Sequence, residues 1–255
     1  GRHVAYYKVY TAPTRPHTTW QVFFDDRDEE NMRLGNRNNY EIRMNPFNGG
    51  FTSILDKTSG DTLTTGSLHE PMFKLEFHTA PEDLRIADPL HGIDDVAFGP
   101  HSLNYTWSAD SSRLTLEYRK SDEATRWVEA TVTITLSENP WFDMQMSLTN
   151  KWGYPLESVS FPHHLELTMT GADEALVPSG YPGMVLGAGF FDGSRDLELE
   201  YPTQCPVDFT AIRKGDGTMA IYALRDTGTG PTSRVGFGPV NDPGRPVAIH
   251  SPVCG

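Results

Sequence analysis

The segment Val128-Glu129-Ala130-Thr131-Val132-Thr133-Ile134-Thr135-Leu136 alternates strictly between apolar and polar side chains. Residues 114–118 (LTLEY) and 142–148 (FDMQMSL) alternate in the same way. A period of two places the apolar side chains of a strand on one face, so each segment predicts a half-buried β-strand. The links at 121–123 and 137–140 contain Ser, Asp, Asn and Pro, which favour turns. Three such strands joined by short turns indicate an antiparallel meander.

Other parts of the chain also favour strands. Further strands are predicted at 40–44, 51–55, 72–78, 207–213 and 219–224, with turns at Asn45–Gly50 and Lys214–Gly217. The Asp216-Gly217 pair is expected to supply the left-handed backbone of a tight hairpin. The best candidate for a helix, Asp26–Leu34, is short and acidic, and no longer stretch has a helical period. We therefore predict an all-β fold, a sandwich of two large antiparallel sheets.

Length and composition leave the number of domains open. A chain of 255 residues is long enough for two small domains or one large sandwich. Hydrophobic residues make up 37% of the chain, which is enough for a core, and no low-complexity linker divides it. We expect residues 1–37 to form an N-terminal extension or first strands with a solvated acidic loop. Residues 38–255 are expected to form one β-sandwich domain.

The net charge of −13 argues against binding to nucleic acid or to an anionic membrane surface. The sequence has no apolar run of about 18 residues, the length that a membrane-spanning helix needs. It begins Gly1-Arg2-His3, without a methionine or a signal segment. We therefore expect a processed chain or a fragment from which any targeting signal has been removed.

Two features point to an extracellular protein. Cys205 and Cys254 are either two separate buried thiols or one disulfide that ties the C-terminal tail to the body. Such a bridge would contribute about 3–4 kcal/mol in the loop-entropy model. Asn104-Tyr105-Thr106 is an acceptor sequence for N-glycosylation, which agrees with a secreted protein.

The strand around residues 161–169 offers the best candidate for chemistry. Alternation places His163 on the apolar face, where a hydrogen-bonded core histidine is expected, and His164 and Glu166 on the polar face. A His–Glu pair two residues apart could bind sugar hydroxyls or perform acid–base catalysis, although a solvated face has the same pattern. Neither a third metal ligand nor a phosphate-binding loop is evident, so no metal or cofactor is predicted.

Tryptophan side chains are candidate platforms for sugar rings. Trp152 is preferred because the surrounding segment, Asn150-Lys151-Trp152-Gly153-Tyr154-Pro155, has the composition of a loop. The alternative for any of the tryptophans is packing in the core or at its rim. Trp152, His164 and Glu166 together are therefore the predicted carbohydrate-binding residues.

The order of several motifs resembles that of a known family. Gly49–Leu63 reads GGFTSILDKTSGDTL and is similar to the opening of galactose-mutarotase-like supersandwich domains. Met146–Asn150 and Leu156–Pro162 resemble the middle of such domains, and the motifs at Leu176–Pro178, Tyr181–Gly183 and Tyr201–Pro202 follow in order. The resemblance covers roughly residues 38–230. It is greatest to the N-terminal sandwich of uncharacterised glycoside-hydrolase-like proteins.

The resemblance implies a carbohydrate-associated protein. In that family the sandwich usually precedes a (β/α)₈ barrel that carries the catalytic carboxylates. We therefore expect a non-catalytic accessory domain of a secreted glycoside-hydrolase-like protein, whose partner is a glycan or the catalytic barrel. One alternative is a self-sufficient aldose mutarotase or epimerase, an activity for which free-standing members of this fold use a histidine and a glutamate. The other alternative is a structural subunit of an extracellular assembly, which would self-associate.

Overall fold

The computed structural model of the chain consists of β-strands joined by turns and loops. It describes residues 2–11, 22–65, 71–78, 80, 86–87, 103–108, 112–119, 128–167, 171–177, 184–187, 197–201, 209–224, 233–238 and 247–250. The strands are β1 (Arg2–Thr11), β2 (Val22–Asp28), β3 (Asn31–Asn36), β4 (Tyr40–Met44), β5 (Phe51–Asp56), β6 (Thr62–Thr65), β7 (Lys74–Phe77), β8 (Ile86–Ala87), β9 (Leu103–Ser108), β10 (Arg113–Tyr118), β11 (Val128–Leu136), β12 (Trp141–Asn150), β13 (Leu156–Ser160), β14 (His164–Leu167), β15 (Glu174–Val177), β16 (Met184–Gly187), β17 (Leu197–Tyr201), β18 (Phe209–Lys214), β19 (Gly217–Leu224), β20 (Ser233–Gly238) and β21 (Val247–His250). Among these residues there is no helix of the length and hydropathy that a membrane crossing requires.

The strands form four antiparallel sheets. The largest has nine strands in the order β16-β15-β18-β19-β1-β12-β11-β10-β9, and the next has five in the order β2-β3-β4-β5-β6. A four-stranded sheet (β14-β21-β20-β17) and a three-stranded sheet (β13-β7-β8) complete the described fold. The prediction of an all-β, antiparallel fold is confirmed. The strands are divided among four sheets, however, where two large sheets were expected.

The predicted meander forms one half of the nine-stranded sheet. Leu114 of β10 pairs with Ile134 of β11, and Ile134 pairs in turn with Met144 of β12. All three side chains are buried. Buried and partly exposed residues alternate along the whole of β11, as the period of two predicts. Strand β1 lies between β12 and β19 in the middle of this sheet.

The nine-stranded and five-stranded sheets pack face to face. The rings of Tyr40 and Phe142 lie 5.4 Å apart, and the Tyr40 hydroxyl donates a hydrogen bond to the Trp141 carbonyl at 3.2 Å. Phe24 stacks on Trp107 with a centroid separation of 5.4 Å. The core between the sheets is filled by aliphatic and aromatic side chains from both, including Met32, Leu34, Ile42, Ile54, Leu116, Tyr118, Val132 and Met146.

Most of the described residues before position 38 lie in strands, namely β1, β2 and β3. This segment was expected to be an extension or first strands with a solvated acidic loop, and Asp26–Leu34 was the best helical candidate. Residues 22–36 form the hairpin β2–β3, which turns at residues 29–30, so the alternative of first strands applies to them and the helical candidate is wrong. Met32 and Leu34 alternate toward the core, whereas the acidic residues after Asp25 lie on the exposed end of an edge strand and its turn. The run of charged residues at 25–30 masks the alternation of apolar and polar residues in the sequence of this hairpin.

Two predicted hairpin turns form, and glycine matters in both. At the β4–β5 turn, Gly49 has a φ of +73°, and a Cβ there would collide with the buried Tyr118 hydroxyl. At the β18–β19 turn the left-handed residue is Gly215 (φ +58°) rather than the expected Gly217. A glycine at the first central position suits a two-residue hairpin loop equally well. An Asp61 carboxylate oxygen accepts hydrogen bonds from the Asp216 and Gly217 amides, both at 3.1 Å, and so holds this turn.

Candidate functional site

The residues predicted to bind carbohydrate are not brought together on a described surface. The backbone of His164 and Glu166 lies in β14, opposite His250 and Ala248 of β21, but their side chains fall outside the described part of the chain. The neighbouring His163 is half-buried, and its amide donates to the Met72 carbonyl at 2.9 Å.

Trp152 lies in a turn, as predicted, but its ring points into the core. Its exposed fraction is 3%, and it packs edge-on against Phe77 and Tyr154 with centroid distances of 4.7 and 4.9 Å. The turn is fixed by Asn150, whose side chain accepts from the Trp152 amide and donates to the Tyr154 carbonyl. A ring buried in this way offers no open face to a sugar.

Of the two sequence features that suggested secretion, only the acceptor sequence for N-glycosylation lies within the described residues. Cys205 and Cys254 lie outside the described residues. Asn104 is exposed on β9, which is the last strand at one edge of the nine-stranded sheet, and Thr106 of the same acceptor sequence is exposed too. The sequon is therefore accessible to a large solvated substituent.

An open groove of about 390 Å³ lies on the face of the five-stranded sheet that points away from the core. Its lining consists of two phenylalanines, of which Phe24 turns its ring inward onto Trp107, and six charged residues, namely Phe23, Phe24, Asp25, Arg27, Arg33, Arg37, Glu41 and Lys57. The pairing register places Gly35 between Phe23 of β2 and Glu41 of β4. Because the Tyr40 carbonyl occupies the position of a Cβ at Gly35, only glycine fits there. Strand β3 therefore contributes no side chain between Phe23 and Glu41, and the Lys57 ammonium lies there instead.

Glu41 is the centre of the charge network in the groove. One carboxylate binds the Arg33 guanidinium through two hydrogen bonds of 3.0 and 3.1 Å and accepts a third from Arg43 at 3.0 Å. Lys57 Nζ lies 3.4 Å from the same carboxylate. Burial opposes ionisation of Glu41, but these cations outweigh it and lower its pKa from 4.5 to about 2.

The Lys57 ammonium lies between the carboxylate and an aromatic ring. Its Nζ is 4.7 Å from the centre of the Phe23 ring, a cation–π geometry. The Lys57 amide donates to the Asn39 carbonyl at 2.8 Å, which ties the residue to the β3–β4 turn. Burial lowers the pKa of this lysine, and the neighbouring Arg33 and Arg37 act in the same direction against the effect of Glu41. The ammonium is therefore held in a partly desolvated, cation-rich environment.

The second carboxylate of the groove is also paired. Asp25 accepts two side-chain hydrogen bonds from Arg27, at 2.7 and 2.8 Å, and one from its amide at 3.2 Å. These bonds hold the pKa of Asp25 well below its usual range.

Both groove carboxylates are therefore ionised at neutral pH. Acid-assisted cleavage of a glycoside requires a carboxyl group that carries a proton at the working pH. Neither Glu41 nor Asp25 can be that group, because each is held ionised by guanidinium partners. The groove has the composition of a binding surface, with fixed donors beside aromatic rings.

This groove is not evident from the sequence. Its residues come from a segment that was expected to be partly a solvated loop, and from strands whose outward positions alternate with the core. The signal that could have found it is the alternation of charged and apolar residues at 31–36 and 40–44, NMRLGN and YEIRM. Which of these charged side chains lie next to one another depends on the pairing register of the two strands, and the sequence does not give that register.

Of three comparisons with known proteins, only the comparison with solved structures found a match. No family model matches the sequence, and no curated protein matches it. Among solved structures, the fold is similar to a galactose mutarotase-like protein from Lactobacillus casei ATCC 334, with 11% identity and a TM-score of 0.49. The match covers 91% of this chain and 87% of that chain. At this identity and TM-score the match assigns no residue role and no activity.

Proposed function

We propose that this chain is a non-catalytic carbohydrate-binding sandwich, and that the groove on the five-stranded sheet is its binding surface. The observation that carries the proposal is the pairing of a half-buried Phe23 ring with the fixed donors of Arg33 and Lys57. Sugars present both hydroxyl groups and apolar C–H faces, and binding sites of this class combine a few oriented polar groups with aromatic side chains. The two ionised carboxylates add acceptors for sugar hydroxyls.

The network around Glu41 preorganises the groove. Because Arg33 and Arg43 are already fixed by the carboxylate, little conformational entropy is lost when a ligand accepts their remaining hydrogen bonds. Glu41 itself is buried, and Arg33 and Arg43 stand on strands β3 and β4, whereas Lys57 lies in the turn after β5. This favours specific binding of a polar ligand by a shallow surface.

The proposed test is glycan binding by the whole chain and by two phenylalanine variants. Phe23→Ala removes a ring that lines the groove, whereas Phe47→Ala removes a ring that is 58% exposed on the β4–β5 turn and does not line it. We expect glycan-array and calorimetric binding to fall at least about fivefold for Phe23→Ala, a loss of about 1 kcal/mol. Binding should be unchanged for Phe47→Ala. Equal losses in both variants, or no glycan binding at all, would refute the proposal.

We further propose that the domain works outside the cell as an accessory unit of a glycoside-hydrolase-like protein. An exposed acceptor asparagine at Asn104 supports the location. A bridge between Cys205 and Cys254 belongs to the same proposal. It is tested by titrating free thiols in unfolded, unreduced protein, where two free thiols would contradict it.

A further inference from the structure

The groove contains more positive charge than its own carboxylates balance. Four cations and two carboxylates line it, and Arg43 shares Glu41 from the side. Asp25 is paired with Arg27 and also lies opposite Arg33 across β2 and β3, whereas Glu41 is shared by Arg33, Arg43 and Lys57. Arg37 is exposed on the β3–β4 turn and makes no ion pair with any residue that the structure describes. This excess stands out in a chain whose net charge is −13.

The nearest acidic run does not neutralise this end of the groove. Asp28, Glu29 and Glu30 lie at the tip of the β2–β3 hairpin, whereas Arg37 follows the other end of β3. Strands rise about 3.3 Å per residue, so the six residues from Phe23 to Glu29 span roughly 20 Å. That distance exceeds the Debye length of about 8 Å at physiological ionic strength. The positive field therefore persists around Lys57 and Arg37, whereas Arg33 lies opposite Asp25.

The same end of the groove is suited to a sugar that bears an anion. The Lys57 side chain is 22% exposed. Its positive charge is only partly balanced, because the Glu41 carboxylate is shared with Arg33 and Arg43. An incoming anion would add a counter-charge to a desolvated ammonium, and a guanidinium such as Arg37 can bind a carboxylate or sulfate through two parallel hydrogen bonds. The Phe23 ring beside Lys57 supplies the apolar contact for the sugar itself.

We propose that the preferred ligand of this groove is an acidic sugar, with its carboxylate or sulfate group bound between Lys57, Arg33 and Arg37 and its ring beside Phe23. This inference rests on the proposed function and specifies the ligand class. It also makes binding depend on ionic strength, because the contact is between charges that are partly open to water.

The test compares ligands that differ only at C6. Cellotriose, its C6-oxidised triuronate and its 6-O-sulfated form are titrated into the whole chain by calorimetry. We expect the two acidic ligands to bind about tenfold more tightly than cellotriose in dilute buffer, equivalent to about 1.4 kcal/mol. This preference should shrink as salt is raised to about 150 mM.

Two glutamine variants with the same change in charge locate the site. Arg37→Gln should weaken the acidic ligands about fivefold more than it weakens cellotriose. Arg113→Gln removes another exposed arginine from β10, outside the groove, and should change nothing. Lys57→Met is a second groove variant with the same expected loss of preference. Circular dichroism and thermal melting confirm that each variant is folded.

The outcomes separate the inference from the function on which it rests. Equal binding of cellotriose and the triuronate, lost in Phe23→Ala, would overturn the acidic ligand and leave a glycan-binding groove. No binding of any of the three ligands would overturn both. Inorganic sulfate binding as tightly as the sulfated trimer would overturn the sugar contribution, since it would indicate an adventitious ion only. An acidic preference that survives Arg37→Gln and Lys57→Met would overturn this location.

Discussion

The ion pairs of Glu41 predict how much unfolding free energy is lost when its charge is removed. Lowering its pKa from 4.5 to about 2 on folding corresponds to at most about 3 kcal/mol in favour of the native state at neutral pH. Arg33 and Arg43 are 39% and 49% exposed, so water screens part of this interaction. We therefore expect Glu41→Gln to cost about 2 kcal/mol at neutral pH. The neutral amide also turns two donor hydrogens toward a guanidinium.

The sign of the pH dependence follows from the lowered pKa. A carboxyl group that is more acidic in the folded state stabilises it fully above the unfolded value of 4.5 and loses that contribution as the pH falls toward about 2. The difference in unfolding free energy between wild type and Glu41→Gln should therefore shrink from about 2 kcal/mol near pH 7 to about 1 kcal/mol near pH 3.5. Other carboxyl groups titrate equally in both proteins and cancel.

The measurement is urea unfolding followed by tryptophan fluorescence at several pH values and constant ionic strength. Glu117→Gln serves as the matched control, because Glu117 is exposed on β10 outside the groove. Its substitution should change the unfolding free energy by less than about 0.5 kcal/mol. A Glu41→Gln cost that is the same near pH 7 and near pH 3.5 would show that the loss comes from packing and would refute the electrostatic argument.

Three further predictions concern single positions. Gly49→Ala should destabilise the fold by more than about 2 kcal/mol in urea unfolding, because a methyl group there meets the Tyr118 hydroxyl and the φ is left-handed; Gly60→Ala, left-handed but in open space, should cost less. Asp61→Asn should speed amide exchange at Gly217 while distant strands keep their protection, and unchanged exchange would contradict a role in holding the turn. Expression in a glycosylating secretory host should add mass that Asn104→Gln removes, and an unmodified chain would argue against secretion.

The strands that can be predicted from the sequence are those with an apolar–polar alternation of their own. Strands β10, β11 and β12 were predicted because alternation within a segment is sufficient to place its apolar face, whatever the segment pairs with. The hairpin turn before Phe51 was predicted for a similar reason, since Asn and Gly favour a tight turn locally. These features depend on neighbours within a few residues.

The groove could not be predicted because it depends on register. Arg33 reaches Glu41 only because β3 and β4 pair so that Gly35 lies opposite Glu41. A shift of one residue would send the same charged set into the core. Trp152 shows the complementary difficulty: its segment has the composition of a loop, but Phe77 from a distant strand provides a buried surface for the ring. Sequence composition reports exposure of a backbone segment better than exposure of a particular side chain.

The position of β1 has a consequence for the way in which the chain is made. This strand is central in the nine-stranded sheet, yet its partners begin at Trp141 and Gly217. Sheets that close over such sequence separations are slow to form, because the intervening chain must be ordered before the contacts repay its entropy. During synthesis, the β1 segment leaves the ribosome well before β12 and β19 are made, so its backbone hydrogen-bonding groups have no strand partner during that time. We therefore expect a chaperone that holds this nascent segment to raise the yield of folded chain.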